Sequence, residues 1–421
     1  MKRILGNNRG MALVFALTII ILIVAIIKDI AFDSLVEYSV SNRSYQQLKA
    51  YYAAKMGAEL SLLRLNIYRK AQAQFGAQLG KNQTMLDPLW QMPFAWPPPL
   101  PDDIKRVDKE AILKDVKQSI VDTQYFATIE SEGAKIDIND LASPVKALAT
   151  ATRKQLLQVL ASQIESNEAF SDRYRSFDFE QLLNNIADWI DADSEGRNGR
   201  GDESSIYRDQ TEIKLPPNRP FKTIRELHMV ANMSDEIYDV LAPRITVYGS
   251  KGITVNHASN EILMSLDPQI SEEVVKDIRE RIETPELGGP FKDVDDFKSF
   301  LESRGVNYSN IETSGIPLIF DAEFNFRIRS TGQYKNATSE IVAIVYDFDK
   351  VKKRLVDFLK KQKEEEDKAS QATTKPGEPP AEEADPAAKE KAAQGNDGSS
   401  PESKITVPEG RPNVVYWMET S

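Results

Sequence analysis

The sequence predicts an α+β protein: a long N-terminal helix and an antiparallel sheet, interrupted by a large all-α inserted domain. Three observations carry this. An uncharged apolar run, Met11 to Ile27, passes without a break into apolar residues at helical spacing. Two stretches, 121–138 and 320–348, alternate like half-buried strands. Between them, residues 141–301 read mostly as short amphipathic helices joined by turns. A chain of 421 residues is long enough for two or three domains.

Lys2, Arg3 and Arg9 precede the apolar run, Gly10 ends that basic leader, and Lys28, Asp29 and Asp33 follow the run. The 17 residues from Met11 to Ile27 make a helix of about 26 Å, enough to cross a bilayer core. Positive charge stays inside, so the bulk of the chain is expected outside the cytoplasm. Leu35, Tyr38, Leu48, Tyr51, Tyr52, Met56, Leu60, Leu63 and Ile67 then recur at three- and four-residue steps, with no proline before Pro88. One helix from Met11 to about Lys70 is predicted, first apolar all round and then amphipathic. Leu48, Tyr52, Met56, Leu60 and Leu63 are its candidates for burial, on the sheet or on partner subunits.

Trp90 and the prolines Pro93, Pro97, Pro98, Pro99 and Pro101 read as an extended loop packed by aromatics. Val121 to Ile129 and Lys135 to Ile138 read as short strands. Phe320 to Ser330 and Glu340 to Phe348 read as a hairpin around Thr331-Gly332-Gln333. From Lys360 to Lys404 there is no Ile, Leu, Val, Met or aromatic residue, so this stretch is expected to be disordered. Order is expected to resume at Val407, with Val414-Val415-Tyr416-Trp417-Met418 as a last strand returning to the sheet.

The formal net charge is −11 and there is no cysteine. Disulfides are therefore excluded, and the folded parts need ordinary cores or metal. The acidic balance argues against general nucleic-acid binding. The two histidines, His228 and His257, stand in no pattern that supports nucleophilic catalysis or zinc binding.

Asp191, Asp193 and Glu195 occupy alternate positions, with Gly196 sixth and Asp202 twelfth in the same count. This approximates an EF-hand loop, in which alternate oxygens converge on Ca²⁺ and glycine permits the sharp turn. Asn198 at position eight and the short Asp202 depart from that pattern. Asp191, Asp193, Glu195, Asp202 and the carbonyl of Arg197 are the expected metal ligands. A catalytic use of these carboxylates is disfavoured, because no His or Lys is placed to share a proton with them. A second motif, from Ile253 to Leu301, resembles a helix-hairpin-helix module. Its hairpin reads Leu266-Asp267-Pro268-Gln269-Ile270, without glycine, and the segment from Gly252 holds eleven acidic against five basic residues. Pro268 removes an amide donor and Asp267 repels phosphate, so the module is expected to pack rather than bind DNA.

A basic leader ending in Gly10, a short apolar span and one long helix with the segment Ala50-Tyr51-Tyr52-Ala53-Ala54-Lys55-Met56-Gly57-Ala58-Glu59 resemble a type IV pilin-class subunit. The resemblance implies a type IV pilin-like fold, cleavage by prepilin peptidase between Gly10 and Met11, and N-methylation of Met11. It also implies a glutamate at the fifth mature position. Here that position is Phe15, and a subunit with nothing above it needs no such carboxylate. The stretch Asn185 to Tyr207 resembles the acidic loop of minor pseudopilin K of the type II secretion system. Pro217-Asn218-Arg219-Pro220, Thr223-Ile224-Arg225-Glu226-Leu227, Leu241-Ala242-Pro243, Ile253-Thr254-Val255-Asn256 and Ile136-Asp137-Ile138-Asn139-Asp140-Leu141 follow the family's order. Gly196, Asn198 and His257 depart from it. The resemblance implies calcium near the acidic loop.

The expected division is therefore a leader over 1–10, the membrane and amphipathic helix over 11–72, a first pseudopilin part over 73–140, a helical insert over 141–315, a second sheet part over 316–359, a disordered acidic segment over 360–404 and a last strand over 405–421. The family implies a non-enzymatic tip subunit of the pseudopilus. It would be held in the inner membrane with its bulk periplasmic. Its implied partners are minor pseudopilins I and J, the inner-membrane secretion platform and prepilin peptidase. The alternatives are a minor pilin of a type IV pilus or competence system, and a membrane-anchored DNA receptor using the helix-hairpin-helix-like segment.

Overall fold

The computed structural model describes residues 8–100, 106–197, 201–207, 215–373 and 412–420. In chain order its elements are α1 (Asn8–Leu79), α2 (Pro88–Gln91), β1 (Phe94–Trp96), α3 (Arg106–Gln118), β2 (Gln124–Ser131) and β3 (Ile136–Asp137). There follow α4 (Lys146–Ser166), α5 (Glu168–Tyr174), α6 (Phe179–Ile190), α7 (Asp235–Leu241), β4 (Ile245–Thr246), β5 (Ile253–Thr254), α8 (Asn260–Met264), α9 (Glu272–Glu283), α10 (Val294–Ser303) and α11 (Tyr308–Ser314). The chain closes with β6 (Leu318–Ile319), β7 (Phe326–Tyr334), β8 (Ala337–Val345), α12 (Phe348–Thr373) and β9 (Val414–Thr420). The fold class is α+β. Five strands form one antiparallel sheet in the order β1-β2-β7-β8-β9.

The long helix is longer than the expected 11–72: α1 has 72 residues, roughly 108 Å at 1.5 Å per residue. The face it lays on the sheet is made of small residues, Ala50, Ala53, Ala54, Gly57, Ala58 and Ser61, all buried. Small side chains let two backbones approach, and the Ser330 hydroxyl donates to the Ala54 carbonyl at 2.7 Å. Farther along, Leu62, Leu65 and Tyr68 join Trp90, Ile129, Phe326, Ile328, Ile341, Ala343 and Val345 in one apolar core. Of the five residues expected to be buried, Leu48, Tyr52 and Leu63 are more than half exposed, while Met56 and Leu60 are half-buried. The apolar surface of Leu48, Tyr52 and Leu63 is left largely uncovered by this chain.

The hairpin turn also differs from expectation. Tyr334 pairs with Ala337, so the turn is Lys335-Asn336, and Thr331-Gly332-Gln333 lie inside β7. Lys335 takes the left-handed conformation with φ +51°. Gly332 is needed for a different reason: a Cβ there would come under 3.0 Å from the Ala50 carbonyl and the Ala54 amide. The glycine marks where helix and sheet touch.

The helical domain is inserted between neighbouring strands. The sheet is left at Ser131 and re-entered at Phe326, and these two residues are register partners. Short parallel pairings, Ile136 with Ile245 and Ile253 with Leu318, tie the insert's own ends together. A separate apolar core fills it, with Leu156, Leu160, Leu182, Ile186, Trp189, Ile245, Val255, Phe291, Phe297 and Leu301. Buried charge holds the two parts. Glu132 accepts a two-pronged interaction from Arg327 at 2.6 and 2.8 Å and a bond from Thr246 at 2.5 Å. Within the insert, Lys251 donates to Asp137 at 2.8 Å and to Asp140 at 2.7 Å. A second contact comes from the helix-hairpin-helix-like segment, where His257 Nε2 lies 3.1 Å from Asp87 Oδ2 and its ring lies against Trp90.

The expectation of disorder from residue 360 is corrected over its first part, because α12 runs to Thr373. Lys, Glu, Gln and Ala have good helix propensity, so a helix nucleated on packed turns can propagate without further apolar residues. Arg354 fastens the early turns to Asp321 at 3.0 Å and to the Ser250 carbonyl at 2.7 Å. Gln362 accepts from the Lys146 amide at 2.9 Å. Residues 374–411, with the rest of that segment and the expected start of the last strand, lie outside the described residues, as do residues 1–7 of the leader.

Candidate cation site and assembly face

The acidic site begins in α6. Asp178 caps that helix by accepting from the Gln181 amide at 2.9 Å, and Leu182, Leu183, Ile186, Trp189 and Ile190 bury its apolar face. That burial draws Asp188 inward beside Trp189. The chain then turns and returns through a one-turn 3₁₀ helix, Glu203–Ile206, which Asp202 caps at the Ser204 amide, 2.9 Å away. Two backbone bonds close the loop, Gly196 N–H to Gly201 at 2.8 Å and Glu203 N–H to Ser194 at 3.3 Å. One carboxylate oxygen each from Asp188, Asp191 and Glu203 come within 4.8 Å of one another.

Of the four expected carboxylates, Asp191, Asp193, Glu195 and Asp202, only Asp191 belongs to this cluster, while Arg197 was expected to contribute its backbone carbonyl. Asp193 accepts from the Glu195 amide at 2.9 Å, Glu195 and Asp202 form a β-bridge, and Asp202 serves as the cap. Arg197 brings its guanidinium to Asp191, 2.7 Å from Oδ2. Asn198 lies outside the described residues. Asp188 and Glu203 were missed because an EF-hand count looks only inside the loop. Asp188 precedes Asp191 by three residues, one helical turn, and Glu203 follows the loop. That i, i+3 spacing of carboxylates at a helix end was the available signal.

Burial, followed by the negative charge of Asp191, Asp188 and Asp193, pushes the Glu203 carboxyl up to about 7. Burial, with Asp191 and Asp193 adding to it, pushes Asp188 up to about 6. Among the described residues, Glu203 Oε1 and Oε2, Asp191 Oδ1 and Asn218 Oδ1 are buried without a hydrogen-bond partner. Asn218 is held nearby by its own bond to the Asp193 carbonyl and by the Arg219 amide, which donates to Trp189 at 3.2 Å. Unmet buried oxygens of this kind are a hard-donor set, and they fit Ca²⁺. Asp188, Asp191 and Glu203, with Asn218 Oδ1, are the side chains that would hold it.

The second feature is the outer face of α1. Met11 to Ile27 is long and apolar enough to cross a membrane, and none of it is buried within the protein. Gly10 and Met11 lie in the first turn of α1. Beyond the span, Leu48, Tyr52, Leu63 and Ile67 remain exposed, while the half-exposed Tyr45 sets its ring edge-on to Tyr334 of β7, 6.1 Å away.

Residues 134–250, which include the whole acidic site, match the family model described as type II secretion system (T2SS), protein K. Over 189 residues the chain is 26% identical to the type II secretion system protein K of Pseudomonas aeruginosa strain PAO1, covering 44% of this chain and 50% of the relative. It thus spans about half the length of the curated relative it matches. The crystal structure of the GspK-GspI-GspJ complex from the enterotoxigenic Escherichia coli type 2 secretion system contains a chain of similar fold. That match has a TM-score of 0.50 at 18% identity, over 75% of this chain and 95% of that one. The matched residues 134–250 form the first part of the insert between β2 and β7, which is carried on a frame of long helix and antiparallel sheet.

Proposed function

We propose that this chain is a minor pseudopilin at the tip of the type II secretion pseudopilus, supporting protein export across the outer membrane. The observation that carries the reading is the joining of a protein K domain to a helix-and-sheet frame whose helix begins in an unburied apolar span. The role is mechanical and recognitional, without turnover. Met11 to Ile27 would hold the subunit in the inner membrane, N-terminus cytoplasmic and bulk periplasmic, as the flanking charges favour. Prepilin peptidase would cut between Gly10 and Met11, and Met11 would be N-methylated. Phe15 would suit a subunit with no neighbour above it.

The exposed stripe Leu48, Tyr52 and Leu63 supports helix bundling with other minor pseudopilins, I and J foremost, on the way from the inner-membrane platform to the tip. The solved GspK complex contains GspI and GspJ, which makes them the first partners to test. Calcium at Asp188, Asp191 and Glu203 would neutralise the buried carboxylates and tie the end of α6 to the following turn. Sites of this extracytoplasmic kind bind in the range of about 10⁻⁴–10⁻³ M, so the ion is structural.

Processing tests the reading. In a cell with the secretion system, N-terminal sequencing of the wild type should begin at Met11. Gly10→Val should leave a full-length membrane-held precursor and abolish secretion. A wild-type N-terminus elsewhere, or full secretion with the uncut precursor, would remove the pseudopilin assignment.

A further inference from the structure

We propose that Arg197 is a tethered competitor for the cation, holding the site in the ion-free loop and leaving when a divalent ion enters. The inference rests on the cation reading of Asp188, Asp191 and Glu203. Its own basis is the position of one side chain. The Arg197 guanidinium places Nη2 2.7 Å and Nε 3.1 Å from Asp191 Oδ2, and Nε lies 3.4 Å from Asp188 Oδ1. The Arg197 amide points to the same Asp188 oxygen at 3.4 Å. Two of the three clustered carboxylates therefore already face a positive charge delivered by the loop itself.

That charge is not enough. One guanidinium stands against three carboxylates, and its planar fork reaches only one edge of the cluster. Asp191 Oδ1 and both oxygens of Glu203 stay buried and without a hydrogen-bond partner among the described residues. Glu203 is only 4% exposed. A divalent ion with a preference for hard oxygen ligands would reach all three side chains, but it cannot share Asp191 and Asp188 with a guanidinium at hydrogen-bond distance. Like charges that close repel in a partly buried setting. The side chain of Arg197 is 39% exposed, so it has an open path away from the carboxylates.

Binding is then an exchange of one cation for another. Arg197 keeps the loop ordered when the ion is scarce, and it lowers the affinity by whatever its own charge-assisted bonds contribute. Removing those bonds should tighten binding by about tenfold, the scale of one charge-assisted hydrogen-bonded pair at a partly exposed position. Shortening the fork to a point charge, as in Arg197→Lys, should give an intermediate affinity.

The test is calorimetric titration of the full chain in detergent with CaCl₂ after chelator treatment, alongside thermal melting. Wild type, Arg197→Gln, Arg197→Lys and Glu203→Gln are compared. Wild type should bind weakly, Arg197→Gln about tenfold more tightly, and Glu203→Gln should lose the interaction. In excess chelator Arg197→Gln should melt below wild type, and Ca²⁺ should restore it to wild type or above. Unchanged or weaker binding by Arg197→Gln, with wild type still binding, would overturn the competitor role and leave the cation site standing. No binding by wild type or Arg197→Gln would sink the cation reading itself, and Arg197 would then be only the counter-ion of an acidic turn.

Discussion

Lys251 ties β3 and the turn after it to the chain entering β5, inside the insert. It is a non-glycine residue with φ +60°, and its buried ammonium lies between Asp137 and Asp140. Replacing it by methionine would strand two buried carboxylates. Breaking such a group from one side typically costs about 3–5 kcal/mol, so urea unfolding of Lys251→Met should show a loss of that order. Burial, and then the charge of Asp137, pushes the Asp140 carboxyl from 3.8 up to about 7, while Lys251 pulls it back. Between those two values the native protein keeps a proton that the unfolded chain has released. Through this group stability therefore falls as pH rises from about 4 to about 7. Asp140→Asn should flatten that slope, which urea midpoints at pH 4.5 and 7.5 would show. None of this was legible in the sequence, because Lys251 is distant in the chain from both carboxylates. Gly332 was legible only as a glycine. It reads as a turn residue, yet it lies in mid-strand beneath α1, and Gly332→Val should lower the melting temperature markedly by forcing the helix off the sheet.

At the scale of elements, patterns that depend on one periodicity were readable and contacts between elements were not. The apolar run and the helical spacing after it foretold α1, and alternation foretold β2, β7, β8 and β9. The acidic loop was found, but of its four expected carboxylates only Asp191 lies in the cluster, since Asp188 and Glu203 become neighbours only when α6 and the following turn fold back on each other. The length of α12 was missed because a search for apolar residues overlooks helices that propagate on propensity. The terminal strand illustrates what composition can decide. β9 pairs along β8, with Trp417 opposite Ala343 and Met418 opposite Val342. Removing residues 412–421 uncovers that edge and should lower the melting temperature. Excising 376–403, which contain no Ile, Leu, Val, Met or aromatic residue, should leave it unchanged. Equal melting of the two truncations would contradict this division.

On the scale of the whole molecule, a long helix with an apolar N-terminal span and an antiparallel sheet carry a second, separately cored domain between neighbouring strands. The helix presents small residues to its own sheet and larger apolar ones to the outside, a division that makes sense if other helices cover the outer face. The pilin-like frame and the identity of the insert were both legible as a resemblance. The outward direction of Leu48, Tyr52 and Leu63 needed the structure, because helical spacing alone does not say which apolar stripe meets the sheet. The most direct measurement is co-purification of the soluble part, lacking residues 1–30, with the soluble domains of I- and J-type minor pseudopilins from the same secretion system, followed by size-exclusion chromatography with light scattering. A stable complex is expected, and it should be lost when Leu48, Tyr52 and Leu63 are changed together to Glu without loss of folded far-UV circular dichroism. Separate elution of the wild-type chain from both partners, or a complex indifferent to the triple change, would contradict tip assembly through this face of α1.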